Sequence, residues 1–339
     1  MNTTLEKIIR GAQAIKPLQD QFLDFVKGME KEGKAGSYIA RYKKVTHSWT
    51  KFNSLEFKTI ANIKGESISP RTENESVPTQ EELAKILKYS SARGRAEIAL
   101  MAYSGLRPRS MSNDNGSECL KLSDIPELTL ENGKVSFTNS PIQIKVKALL
   151  NKGQKHGYFT FLGDEGATYL REYLESRISD GEALEPNSPV LQYDRNVQRK
   201  HIYIPTFCIE REIREAIRGA GLTKRPYVLR AYFATAMDIS EQKGLISHPW
   251  RQFFMGYAGD QEARYSTNKN QLESVVDEIR STYIACLKYI ETNFKEDNDT
   301  VYKKATITAM ESAFDLSLKE EQRQELMTLP LPEFKELNS

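Results

Sequence analysis

The stretch Ala102-Tyr103-Ser104-Gly105-Leu106-Arg107-Pro108 ends one structural element and opens another. From about Ala96 the residues before it are the small and apolar side chains of a helix, and Gly105 suits the left-handed conformation in which helices end. Arg107 therefore stands just past a helix end. Upstream, Thr79-Gln80-Glu81-Glu82 has the Thr-x-x-Glu form of a capping box and predicts a helix running to about Tyr89. Downstream, Ile142, Ile144, Val146 and Ala148 alternate with Gln143, Lys145 and Lys147. The sequence NKGQKHG follows, and then Tyr158-Phe159-Thr160-Phe161, so a hairpin with a lysine-bearing turn is expected. From Asp164 the pattern is mainly helical, over about 165–179, 207–219, 228–242, 250–255, 261–265 and 272–293. Gly221, Gly244 and Gly256 fall near the ends of these elements. The pattern predicts a mainly α domain, with helices around a small sheet.

Outside this region the chain changes character. Gly65 to Gln80, GESISPRTENESVPTQ, is polar, contains prolines and lacks apolar periodicity, which marks an interdomain linker. Before it, Leu18, Phe22, Leu23, Phe25 and Val26, then Tyr38, Ile39, Tyr42, Val45, Trp49 and Phe52, recur at helical spacings and predict a small all-helical domain. Beyond Asn293 the sequence gives short helices and a Pro-rich end. The 339 residues exceed one ordinary core and divide into a helical domain over 1–65, a linker over 66–80, a second domain over 81–293 and a tail over 294–339.

Composition narrows the function. Hydrophobic residues at 39% and charged residues at 28% are ordinary for a soluble protein, and no apolar run approaches the length that crosses a bilayer. The N-terminal MNTTLEKIIRGAQAIKP has no apolar stretch of the signal-peptide kind, so a cytoplasmic protein without a membrane partner is expected. Cys119, Cys208 and Cys286 lie far apart and read as reduced core thiols, with neither a disulfide framework nor a zinc site. The formal net charge of +2 conceals an asymmetry: residues 1–65 hold 12 Lys and Arg against 6 Asp and Glu, whereas residues 273–339 hold 8 against 14. The basic end suits phosphate, and the acidic end suits a protein surface or solvent. Lys43, Lys44, Lys51 and Lys58, interleaved with Tyr42, His47, Trp49 and Phe52, are candidates for contacting a DNA backbone. A solvated basic face on a helical bundle produces the same pattern. No phosphate loop, HExxH or GxSxG motif is present, which puts nucleotide hydrolysis, zinc peptidase and α/β-hydrolase chemistry out of the front rank.

Four strings stand in a meaningful order: the one around Arg107, then Arg225-Pro226-Tyr227-Val228-Leu229-Arg230, then Met255-Gly256-Tyr257, and finally Glu262-Ala263-Arg264-Tyr265-Ser266. Over about residues 76–290 the chain resembles the tyrosine recombinase/integrase family, most closely the integrases of archaeal and related mobile elements. The resemblance implies a helical N-terminal core-binding domain and an α+β catalytic domain closing as a clamp on duplex DNA. It also implies a homo-tetramer on DNA attachment sites, with the tail over 294–339 docking on a neighbouring subunit. Carried over, the catalytic roles fall on Arg107, Lys152, Tyr227, Arg230, Tyr257 and the nucleophile Tyr265, with Lys155 as the alternative lysine.

The chemistry asks for that set. Attack of a phenolate on a phosphodiester adds charge to the non-bridging oxygens, which planar guanidinium forks hold bidentately. A lysine delivers the proton that the departing 5′-oxygen needs. A covalent phosphotyrosine conserves the bond for return attack by another strand, so neither a cofactor nor a metal is expected. Two positions depart from the family: Tyr227 stands where His is usual, and Tyr257 where a second His or Trp is usual. A phenol donates a hydrogen bond but is a poor proton acceptor at neutral pH. Deprotonation of Tyr265 then rests either on the arginines and the lysine, which lower its pKa without a general base, or on His156 or His248 entering the site. Taken singly, Arg107 reads as a surface arginine, Lys152 as a solvated turn residue and Tyr265 as one of 16 tyrosines; their order on plausible elements gives them weight. A DNA-binding relative with little or no cleavage activity, a type IB topoisomerase and a plain helical interaction module are the competing readings. Tyr232, Phe233, Phe253 and Phe254 are expected in the core.

Overall fold

The computed structural model describes residues 2–55, 62–67, 75–131, 133–151, 156–193, 201–257, 273–293, 306–307, 311, 318–330 and 334, with the backbone alone for 2–16, 273–275, 320, 321 and 324. They fall into two compact units, Met1–Ser76 and Val77–Ser339.

The first unit is a helical hairpin of α1 (Asn2–Lys31) and α2 (Gly36–Phe52), turned at Gly33, whose φ of 71° glycine adopts without strain. Its core is small: Val26, Met29, Ile39, Ala40 and Ile63, with Phe22 and Leu23 packed against it. The apolar stripe read from the sequence is wider than this core. Phe25, Tyr38, Tyr42, Val45, Trp49 and Phe52 are exposed, Phe52 at 88%. Within this unit α1 and α2 pack on each other, which covers only part of such a stripe.

The second unit begins with α3 (Gln80–Lys88), capped as expected: the Thr79 hydroxyl accepts the Glu82 amide at 3.1 Å, and the Glu82 carboxylate accepts the Thr79 amide at 3.1 Å. Next come α4 (Ala92–Ala102), buried throughout from Ala96 to Ala102, and the single turn α5 (Pro108–Met111). Two antiparallel hairpins follow, each a separate sheet: β1 (Leu128–Glu131) with β2 (Lys134–Phe137), and β3 (Ile142–Val146) with β4 (Tyr158–Leu162). The second was expected and the first was not. Helices α6 (Asp164–Ser179), α7 (Thr206–Gly219), α8 (Val228–Gln242), α9 (His248–Phe254) and α10 (Glu273–Ile290) complete the body, and α11 (Glu320–Thr328) lies in the tail.

The fold is thus mainly α with small antiparallel sheets. α4 is the central helix and packs against α6, α7 and α8. An aromatic cluster joins β4 to α9 and α10: Phe159 and Phe253 lie 4.7 Å apart between ring centres, and Phe254 and Tyr283 5.4 Å. Tyr232, Phe233, Phe253 and Phe254 are buried, as expected of core residues. The cysteines are free thiols; Cys119 and Cys286 are buried and Cys208 is half-buried. Among the described residues no helix is long and apolar enough to cross a membrane.

Candidate functional site

Helix α4 ends where Leu106 donates its amide to the Leu100 carbonyl at 3.0 Å, with Gly105 at φ 66°. Two constraints meet at Gly105. An L side chain is strained at that φ, and a Cβ there would stand 2.3 Å from the ring of Phe233 on α8. The close approach of this turn to α8 is what brings Arg107 and Arg230 together. Arg107 caps α5 in an extended conformation, φ −76° and ψ 148°, the geometry favoured before a proline.

Arg230 lies in the first turn of α8 and is 1% exposed, the largest of the fully buried side chains. Its guanidinium donates to the Gly105 carbonyl after α4 and to the Met255 carbonyl at the end of α9, tying two distant turns together. Half-buried Arg107 is held more loosely, with contacts of 3.5 Å to Asn151 Oδ1 and to the Gly256 carbonyl, the long limit of a hydrogen bond. The ring of Tyr257 lies against both, its centre 5.4 Å from the Arg107 guanidinium carbon and 5.7 Å from that of Arg230.

Electrostatically the cluster is incomplete. Burial lowers the pKa of Arg230, and the charge of Arg107 lowers it further. Arginine stays protonated in proteins nonetheless. Among the described residues no carboxylate pairs with either guanidinium; their partners are carbonyls, an amide side chain and an aromatic ring. Two neighbouring cations, one of them buried, without a counter-charge among the described residues suit an anion with several acceptor oxygens.

The structure therefore brings together Arg107, Arg230 and Tyr257. Tyr227, 49% exposed, sits immediately before α8. Lys152 and Lys155, in the turn between β3 and β4, lie outside the described residues, as do Tyr265 and Lys58. The ends of that turn are described: Asn151 donates its side-chain amide to the His156 carbonyl at 2.9 Å. Asn151, adjacent to the expected lysine and in contact with Arg107, was not singled out from the sequence. His156 is exposed. His248 is occupied on α9, its Nδ1 2.9 Å from Glu241 and its Nε2 3.2 Å from the Gln252 amide nitrogen. In the first unit Lys44 and Lys51 are exposed, while half-buried Lys43 is ion-paired with Glu66 at 2.8 Å. Among the described residues no three His, Cys, Asp or Glu side chains gather as metal ligands would.

No family model and no curated relative matches the chain. Among solved structures it is similar to the XerA recombinase, at 20% identity with a TM-score of 0.39, covering 80% of this chain and 90% of that one. It is similar to a lambda integrase (75–356) dimer bound to a COC′ core site, at 18% identity and a TM-score of 0.44, covering 80% and 91%. It is also similar to the Tn1549 transposon integrase in complex with circular intermediate DNA, at 12% identity and a TM-score of 0.42, covering 77% and 84%.

Proposed function

We propose that this chain is a site-specific DNA recombinase of the tyrosine recombinase type, cleaving and rejoining duplex DNA through a 3′-phosphotyrosyl intermediate. The observation that carries the reading is the arginine pair: Arg107 and Arg230 converge on one ring without a carboxylate partner among the described residues. A phosphodiester supplies the missing charge and has two non-bridging oxygens for two guanidiniums. The order of the strings around Arg107, Tyr227, Arg230, Tyr257 and Tyr265 adds the nucleophile to that site.

In this reading the Tyr265 phenolate attacks phosphorus, the bond to the 5′-oxygen breaks, and Lys152 protonates the departing oxygen. Arg107 and Arg230 hold the charge that accumulates on the non-bridging oxygens. Tyr257 supports both arginines with its ring face, a role that requires no proton acceptor and suits an aromatic side chain at that position. Tyr227 contributes a hydroxyl donor at the entrance to the site. The 5′-hydroxyl of a second strand then attacks the phosphotyrosine and releases Tyr265. Residues 1–65 grip the duplex backbone through Lys44 and Lys51, four copies assemble on two attachment sites, and the acidic tail over 294–339 docks on a neighbouring subunit.

The test is incubation of the chain with duplexes bearing a nick that traps the intermediate, followed by a search for a denaturant-resistant protein–DNA adduct in the unaltered protein and in Tyr265→Phe. An adduct that disappears in the variant is the expected result; one that persists assigns the attack to another residue. No adduct on a verified binding site favours a DNA-binding protein without cleavage. Relaxation of supercoiled DNA by a monomer, without sequence preference, favours a type IB topoisomerase.

A further inference from the structure

Tyr158 opens β4, opposite Val146, on the hairpin whose turn carries Lys152 and Lys155. It is 8% exposed, and its hydroxyl is buried with no hydrogen-bond partner among the described residues. This orphan does not sit in a remote part of the core. The far end of its ring, Cζ with Cε1 and Cε2, lies 2.6–3.0 Å from the place a Cβ on Gly256 would occupy. The Gly256 carbonyl is a partner of Arg107, and the neighbouring Met255 carbonyl is a partner of Arg230. The phenols of Tyr158, Tyr227 and Tyr257 all lie close enough to Arg230 to oppose the lowering of its pKa.

Phenylalanine at position 158 would fill the same space without leaving a polar group stranded, and a stranded buried hydroxyl costs stability. A hydroxyl retained in an arginine-lined site at that cost is explained by an acceptor that arrives with the ligand. We propose that the Tyr158 hydroxyl is a third donor of the phosphate site, unpaired among the described residues of the free protein and donating to a non-bridging oxygen of the phosphodiester held by Arg107 and Arg230. The inference rests on the reading of this site as a phosphate site, and not on strand cleavage by Tyr265. Its donor is neutral, so it adds a charge-assisted hydrogen bond without a third mutually repelling cation. The far end of the Tyr158 ring packs against Gly256 and the hydroxyl is buried, so contact requires a small local shift as the oxygen enters.

The test uses the full chain and Tyr158→Phe. Thermal unfolding is followed with and without orthovanadate, an oxyanion that adopts the five-coordinate geometry of phosphoryl transfer, and adduct formation is timed on a nicked duplex. The free variant is expected to melt at the same temperature as the parent or higher, while its vanadate affinity falls roughly 10- to 100-fold, the range for one hydrogen bond to a charged group. A lower melting temperature of the free variant, equal vanadate affinities, or no response of the unaltered protein to vanadate overturns the proposal. Weakened vanadate binding in the variant, with no adduct from either protein, upholds Tyr158 and defeats the strand-cleavage reading. Adducts formed at equal rates by both proteins do the reverse.

Discussion

Glu291 should make the protein lose stability as the pH rises from 5 to 8, and Glu291→Gln should abolish that loss. The carboxyl follows the last residue of α10 and is 4% exposed, with its Oε1 accepting the Glu165 amide at the start of α6 at 3.0 Å. Burial pushes its pKa up to about 7, reinforced by the charges of Glu165 and Asp164 and opposed by the amides of Glu165 and Gly166. In the unfolded chain it titrates near 4.3, roughly the usual glutamate value. The folded state thus binds this proton more tightly than the unfolded state. The resulting stability is complete below about pH 4 and is lost as the pH rises through 7. Between pH 5 and 8 the loss is roughly 2–3 kcal/mol, a large part of a typical domain stability of about 5–15 kcal/mol. Glutamine keeps the acceptor oxygen for Glu165 and cannot ionise. Urea unfolding of both proteins at the two pH values should show the variant's relative stability growing by that amount from pH 5 to pH 8. A difference that stays constant with pH would refute the reasoning.

Gly105→Ala should destabilise the second unit by about 2–5 kcal/mol, the sum of left-handed strain and overpacking against Phe233, measured as a lowered urea midpoint with unchanged slope. Arg107→Lys should slow adduct formation roughly 100- to 1000-fold while leaving the unfolding midpoint within error, because a point charge cannot replace the guanidinium fork and its present contacts are long. Arg230→Lys should slow the reaction by a similar factor and also lower stability by about 1–3 kcal/mol, since one ammonium cannot reach both carbonyls that Arg230 bridges. Equal stability of the two variants would show that the Arg230 bridge contributes little to the fold.

Local signals carried most of the fold. The Thr79 capping box, the glycine turn at 105 and the alternation over 142–146 each act within a few residues, and the structure has the corresponding elements. The hairpin of β1 and β2 was missed although Asn132-Gly133, a strong two-residue hairpin signal, stands between its strands. Its strands are only four residues each, and Leu128 to Leu130 are half-buried, so their apolar pattern is weak. In the site, the sequence offered Arg107 and Arg230 through their neighbours along the chain. It gave no sign that Phe233 also forbids a side chain at Gly105, or that Tyr158 packs under Gly256, because those contacts join residues far apart in the chain. The stripe from Phe25 to Phe52 was visible from its period, but how little of it is covered depends on a partner that periodicity does not reveal.

The unequal burial of the two arginines divides their work. Arg230 is desolvated and faces a second cation, a combination that the carbonyls of Gly105 and Met255 offset only in part, because a carbonyl carries a dipole and not a charge. These same bonds fix the end of α4 against the end of α9, so the unfavourable charge and the rigid frame of the site come from one side chain. Arg107, half-buried and bound at 3.5 Å, keeps the freedom to turn toward an incoming oxygen. On the proposed reading, an anion entering between them would offset the repulsion and draw Arg107 inward. An anion that binds here and not to the unfolded chain must stabilise the folded unit in proportion to its affinity. A buried arginine beside a second cation, with carbonyl acceptors and no carboxylate partner among the described residues, is the feature on which the proposed anion site rests.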